Sequence, residues 1–182
     1  KAHLNRGLGY QLSGYKEMAI KDYNRAIEIK SNFSSAYFNR GNSYRDLGIM
    51  FNAISSYKMA IAYNPFYDEA HLNLANLYAR ERDYKRAIEH YGKAIEIKPE
   101  YIKALENRAK VFNVMGKTEL AIKDLKRLIE IKSKKSQYYL DLGINYMLIR
   151  DKEAAIAAFS RASELGSKKA EQHLSKLNSE SN

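Results

Sequence analysis

Residues 34–67 read SSAYFNRGNSYRDLGIMFNAISSYKMAIAYNPFY. The apolar and small residues of this stretch, from Tyr37, Gly41 and Tyr44 to Ala53, Tyr57 and Ala60, fall at helical spacing. Gly48 interrupts the pattern midway, as the end of one helix and a tight turn require. Pro65 closes the second run. The stretch therefore predicts a helix, a short turn and a second, antiparallel helix.

The same columns recur along the chain at a step of 34 residues. Alanine stands at Ala19, Ala53, Ala87, Ala121 and Ala155. Twelve residues earlier comes a small residue: Gly7, Gly41, Ala75, Ala109 or Gly143. Nine earlier stands Tyr10, Tyr44, Tyr78, Phe112 or Tyr146, and four later Tyr23, Tyr57, Tyr91, Leu125 or Phe159. The small column lets two helix backbones approach, and the aromatic columns fill the space beside it. Gly14, Gly48 and Gly116 mark the turn; Arg82 and Arg150 replace that glycine in two copies, where a less relaxed turn is expected. One hairpin of this size cannot bury its apolar face alone, so neighbouring copies must stack.

These columns resemble the tetratricopeptide repeat family. Tyr37-x2-Arg40-Gly41-x2-Tyr44, then Ala53-x3-Tyr57, then Pro65 carry the resemblance in the second copy. His71, Leu74, Ala75, Tyr78, Ala87, Tyr91 and Pro99 carry it in the third. The fourth copy is the weakest match, with Leu105, Leu125 and Leu128. The resemblance implies an all-α, right-handed superhelical solenoid of antiparallel helix pairs. Five repeats are expected at 1–33, 34–67, 68–101, 102–135 and 136–169. Residues 170–182 are expected to form a C-terminal capping helix with a frayed tail at residues 178–182. No comparable cap precedes Lys1, and the parent chain is expected to continue upstream.

Composition narrows the chemistry. The chain has 182 residues, 45% of them hydrophobic, so wholesale disorder is excluded. It has no cysteine, which excludes a disulfide framework, a cysteine nucleophile and a zinc finger. No apolar run is long enough to cross a bilayer. Gly7-Leu8-Gly9 lacks the third glycine and the preceding strand of a dinucleotide fingerprint, and Gly116-Lys117-Thr118 lacks the first glycine of a phosphate loop. The four histidines, His3, His71, His90 and His173, show no metal-ligand spacing. Sixteen residues before the marker alanines, where the family's first aromatic stands, come His3, Tyr37, His71, Leu105 and Tyr139, and His173 follows at the next step of 34; these three histidines of the first-aromatic column are read as packing residues, and His90 as a partly exposed surface histidine. No enzyme activity, cofactor or metal is expected.

One column points to binding. Fourteen residues before each marker alanine stands Asn5, Asn39, Asn73, Asn107 or Asp141. It is polar in every copy and lies off the packing columns. An asparagine amide both accepts and donates, so a ladder of them can hold a peptide backbone without reading its side chains. The resemblance implies that the first helices line a concave groove where such asparagines grip an extended ligand. The neighbours on that face vary. Asn42 and Arg45 come from the second copy, Asn76 and Arg80 from the third, and Lys103, Glu106 and Lys110 from the fourth. The first and fifth copies are apolar there, with Leu4 and Leu8 at one end and Leu140 and Ile144 at the other. The expected occupant is an extended segment with acidic residues flanked by apolar ones. Some family members clamp a terminal carboxylate with a lysine that is here Leu4, Phe38, Leu72, Glu106 or Leu140, so that clamp is not supported.

The formal charge is +10, and +6 of it falls in residues 102–135, with ten basic and four acidic groups. Lys123, Lys126, Arg127, Lys132, Lys134 and Lys135 belong to the second helix of that copy and the turn after it, off the predicted groove. Nine of the fifteen tyrosines sit in packing columns and are not free to stack on bases. Nucleic acid is therefore disfavoured as a partner. The expected function is a non-catalytic scaffold for another protein or peptide. The alternatives are the substrate-recognition arm of a larger enzyme such as a glycosyltransferase, and a basic nucleic-acid module. Exposed repeat ends would allow a homodimer, and the cytoplasm is the default compartment.

Overall fold

The structure is a computed structural model and describes residues 1–179. Of the tail expected to fray, Asn178 and Ser179 instead belong to the last helix, and residues 180–182 lie outside the described residues. Among the described residues there are eleven helices and no strand. They fall into two compact units, Lys1–Pro99 and a second that begins at Glu100. In the first, α1 (Ala2–Leu12) pairs with α2 (Lys16–Ile29), α3 (Ser34–Asp46) with α4 (Met50–Tyr63), and α5 (Asp68–Arg80) with α6 (Tyr84–Ile97). In the second, α7 (Ile102–Val114) pairs with α8 (Thr118–Ile131) and α9 (Ser136–Leu148) with α10 (Lys152–Glu164); α11 (Lys168–Ser179) packs on α10. Helices α3, α5, α7 and α9 begin 34 residues apart, in step with the sequence period.

The first helices of the five hairpins, α1, α3, α5, α7 and α9, all end in the same way. The amide of Tyr15 donates to Tyr10 O at 2.9 Å, that of Ile49 to Tyr44 O at 2.9 Å and that of Asp83 to Tyr78 O at 2.9 Å. Lys117 N to Phe112 O at 2.8 Å and Asp151 N to Tyr146 O at 2.9 Å complete the set. This bond spans a helix end when the residue before the donor is left-handed. Gly14, Gly48 and Gly116 supply that conformation with φ of 85°, 77° and 69°. Arg82 and Arg150 are forced into it at 61° and 62°, as their place in the glycine column anticipates.

The small and aromatic columns meet inside each hairpin. A Cβ built on Gly7 would lie 2.7 Å from Tyr23 Cε1, and one on Gly41 2.7 Å from Tyr57 Cε1. On Gly143 it would lie 2.5 Å from Phe159 Cδ1. Tyr23, Tyr57 and Phe159 are fully buried, so each ring sits on a bare patch of helix backbone. In the second unit Phe159 anchors a cluster with Leu140, Ala155, Ala162, Ala170 and Leu177. His173 stacks on Phe159 with ring centroids 4.8 Å apart, so α11 closes this core with an aromatic of its own.

A second set of columns ties the two helices of a hairpin together. Arg6 donates two hydrogen bonds to buried Asp22, at 2.7 and 2.6 Å, and Arg108 two to buried Asp124, at 2.8 and 2.7 Å. The equivalent Arg40 meets Ser56 Oγ at 3.1 Å and Asn24 Oδ1 at 2.8 Å, with no carboxylate. Burial pulls the Arg40 pKa down. In the third copy Leu74 replaces the arginine and His90 stands where the aspartate would. His90 is partly exposed, as expected, but it is not free. Its Nδ1 lies 3.1 Å from His71 Nδ1, and its ring stacks on Tyr78. With no arginine opposite, it turns to the other polar group in reach. His71 Nε2 faces Pro65 O at 3.1 Å; a carbonyl only accepts, so Nε2 carries the proton and Nδ1 accepts from His90. Burial lowers both pKa values, that of His90 to about 4.

Candidate functional site

The polar column lies on the odd helices in both units. In the first unit, Asn5 is exposed on α1 and Asn39 half-buried on α3. Asn73 on α5 donates through Nδ2 to Asn42 Oδ1 on α3, at 3.0 Å. The asparagine column therefore also bridges neighbouring odd helices, against the expectation that it stands apart from packing. The two lone pairs of one amide oxygen explain this: Asn42 Oδ1 also accepts from the Tyr57 hydroxyl, at 2.8 Å.

This tyrosine bond repeats. Tyr91 donates to Asn76 Oδ1 at 2.7 Å. In the first copy, where Leu8 replaces the asparagine, Tyr23 finds Gln11 Oε1 at 2.7 Å instead. The hydroxyl has left water, and burial pushes the pKa of Tyr57 and of Tyr23 up to about 12, so both remain neutral donors. The amide of Asn42 is thus fixed, oxygen inward, and its Nδ2 group is the part left to offer donors. Arg45 is held by Asp46 next to it, at 2.8 Å, and Arg80 is exposed at the end of α5.

In the second unit one member of the column, Asp141, lines a cleft. A cavity of about 510 Å³ is lined by Glu106, Lys110 and Asn113 of α7, by Leu125 and Leu128 of α8, and by Asp141, Ile144 and Asn145 of α9. It brings together Lys110 and Asp141 from the predicted site. Asn107 and Lys103 lie on α7 outside its lining. Glu106 accepts from Lys135 Nζ at 2.8 Å and from the Tyr138 hydroxyl at 2.6 Å. Burial alone would raise its pKa, but these two bonds outweigh it and hold the carboxyl below its usual range. Asp141 goes the other way: burial raises it, against a hydrogen bond from Gln137 at 2.7 Å. Tyr138 and Lys135 were not anticipated as lining residues. Tyr138 stands one residue before the fifth first-aromatic position, Tyr139, and no column marks it.

Among the described residues, no cluster of three or more metal-ligating side chains occurs, and no helix is long and apolar enough to cross a membrane. Helical hairpins repeated in register, with polar side chains gathered on their first helices, define an all-α repeat protein of the interaction-scaffold class. Models of the tetratricopeptide repeat match residues 68–101 and 34–67, and a TPR repeat model matches residues 10–48. The chain belongs to the tetratricopeptide repeat family.

No curated protein matches its sequence. Among solved structures, MamA is similar at 25% identity and a TM-score of 0.79, over 91% of this chain and 96% of that one. YrrB, described as a TPR protein with an unusual peptide-binding site, is 17% identical with a TM-score of 0.80, covering 96% of this chain and 90% of that chain. A MamA fragment from Desulfovibrio magneticus RS-1 is 16% identical with a TM-score of 0.76, covering 90% and 93%. The last two likenesses are of fold.

Proposed function

We propose that the protein is a non-catalytic scaffold that binds an extended segment of another protein on the odd-helix face of each unit. Asn5, Asn39, Asn42, Asn73 and Asn76, with Arg45 and Arg80, would contact the partner in the first unit. Lys103, Asn107, Lys110 and Asp141 would do so in the second. The observation that carries the reading is the fixed amide of Asn42. Tyr57 and Asn73 both donate to its oxygen, and its Nδ2 makes no bond among the described residues. An amide fixed in this way costs little further ordering when it meets a peptide carbonyl or carboxylate. Phe38 is packed against Tyr67 beside it, with ring centroids 4.7 Å apart, and supplies apolar surface for an anchoring side chain.

A random-peptide display selection against the full chain tests this reading. The selected peptides are expected to bind the wild type and to lose binding when Asn39→Ala and Asn73→Ala are combined, with the helical circular dichroism signal retained. Binding that survives the double change would show that the odd-helix face is not the site.

A further inference from the structure

The cleft of the second unit carries a more specific message, which rests on the interaction reading above. Its polar column ends in an aspartate where the other four copies have asparagine. The exchange keeps the side chain's shape but removes both N–H donors and adds a negative charge. At this step the face can only accept.

Lys110 and Lys135 lie near enough to Asp141 to favour its charged form, but neither is bonded to it among the described residues. The single hydrogen bond that Asp141 accepts from a side chain comes from the neutral Gln137, and it forms no ion pair among the described residues. The other carboxylate of the cleft, Glu106, is already satisfied by Lys135 and Tyr138. One turn along α9 from Asp141, Asn145 is only 1% exposed. Its Nδ2 donates to Asp141 O at 2.7 Å, and its Oδ1 has no hydrogen-bond partner. The cleft wall therefore holds a part-buried carboxylate in no ion pair and a buried amide oxygen without a donor. Both conditions are unfavourable and both call for N–H groups. Below them, Leu125 and Leu128 of α8 give the cleft an apolar floor, and Ile144 borders it.

We propose that this cleft takes an arginine side chain of the partner segment, with the guanidinium on Asp141 and the aliphatic stem along Leu125, Leu128 and Ile144. A guanidinium presents its donors in a planar fork that matches a carboxylate, and its stem covers apolar surface. The polarity here is opposite to the acidic segment expected from the sequence. Lys110, on the facing wall, is the cation that competes for Asp141.

The test uses the isotope-labelled full chain and three short blocked peptides, leucine–alanine–arginine–alanine–leucine and its counterparts with citrulline or glutamate at the centre. In NMR titrations the arginine peptide is expected to shift the amides of Asp141, Ile144 and Asn145. It should bind about ten-fold more tightly than the citrulline peptide, the factor that one charge-assisted hydrogen bond supplies. Asp141→Asn, nearly the same shape and without the charge, should erase that preference while the melting curve stays in place. Lys110→Ala should strengthen it. Equal binding of the citrulline peptide, preference for the glutamate peptide, or an arginine preference that survives Asp141→Asn would each overturn the assignment. A glutamate peptide that shifts these same amides would overturn the arginine assignment alone and leave the interaction reading standing. That reading falls instead if the display selection is indifferent to Asn39→Ala with Asn73→Ala.

Discussion

Replacing Arg82 and Arg150 by glycine should stabilise the protein, each substitution acting within its own unit. Both residues sit at the left-handed step of the turn inside a hairpin, with φ of 61° and 62°. An L-residue with a Cβ pays about 1–2 kcal/mol there. Glycine pays none of that, but its greater freedom in the unfolded chain takes back about 0.5–1 kcal/mol. Both side chains are exposed, and neither forms a hydrogen bond or ion pair among the described residues, so little else changes. The net gain is about 0.5–1 kcal/mol per site. For a unit of this size that corresponds to a few degrees, at about 4–8 °C per kcal/mol. Urea unfolding followed by far-UV circular dichroism reads it directly, because the chain has no tryptophan to follow by fluorescence. The reverse change, Gly48→Arg, provides the control and should lose a similar amount. If Arg82→Gly leaves the midpoint unmoved or lowers it while Gly48→Arg is harmless, the strain argument is wrong.

Three further outcomes follow from the packing. Ser56→Asp should place a carboxylate opposite Arg40, as Asp22 and Asp124 stand opposite Arg6 and Arg108, and raise stability by about 1 kcal/mol in the same urea assay. Acid should weaken the third hairpin. His71 and His90 are harder to protonate in the fold than in the unfolded chain, so between pH 6.5 and about 4 the unfolded state binds more protons, and stability falls as the pH falls. Melting curves across that range should flatten in the His71→Tyr, His90→Ser double variant, which borrows the residues of the second copy. Finally, Phe159→Ala should cost about 3–5 kcal/mol, the range for a fully buried aromatic. Hydrogen exchange should show α11 losing protection first, since His173 stacks on that ring.

The repeat was legible because each packing column asks the same thing of its residue in every copy. A glycine beneath Tyr57 and a glycine beneath Phe159 answer one steric demand, and a period of 34 exposes it. The left-handed arginines were legible for the same reason, by their place in the glycine column. The bonding of the asparagines was not. Whether Asn73 points to a partner or to Asn42 depends on a distance between two helices that no spacing along the chain encodes. The arginine–aspartate ties did leave a signal that went unread. Arg6, Arg40 and Arg108 precede the small column by one residue, Asp22 and Asp124 follow sixteen residues after, and both members are missing where Leu142 faces Ala158. That pairing also explains why His90 is drawn inward, since the third copy lost its arginine and kept a polar group in need of a neighbour.

The hydroxyl groups of Tyr57 and Tyr91 separate two properties that a repeat protein must otherwise adjust together. The ring sets how closely two helices lie; the single oxygen at its tip sets which way an amide on the other helix of the hairpin is turned. Phenylalanine in place of Tyr57 would keep the ring and release the amide. The same chain could then trade a surface that offers hydrogens for one that offers either hydrogens or lone pairs, at the cost of one atom and with the backbone unmoved. A long array of near-identical copies can in this way vary what each step is able to read while every step keeps the same shape.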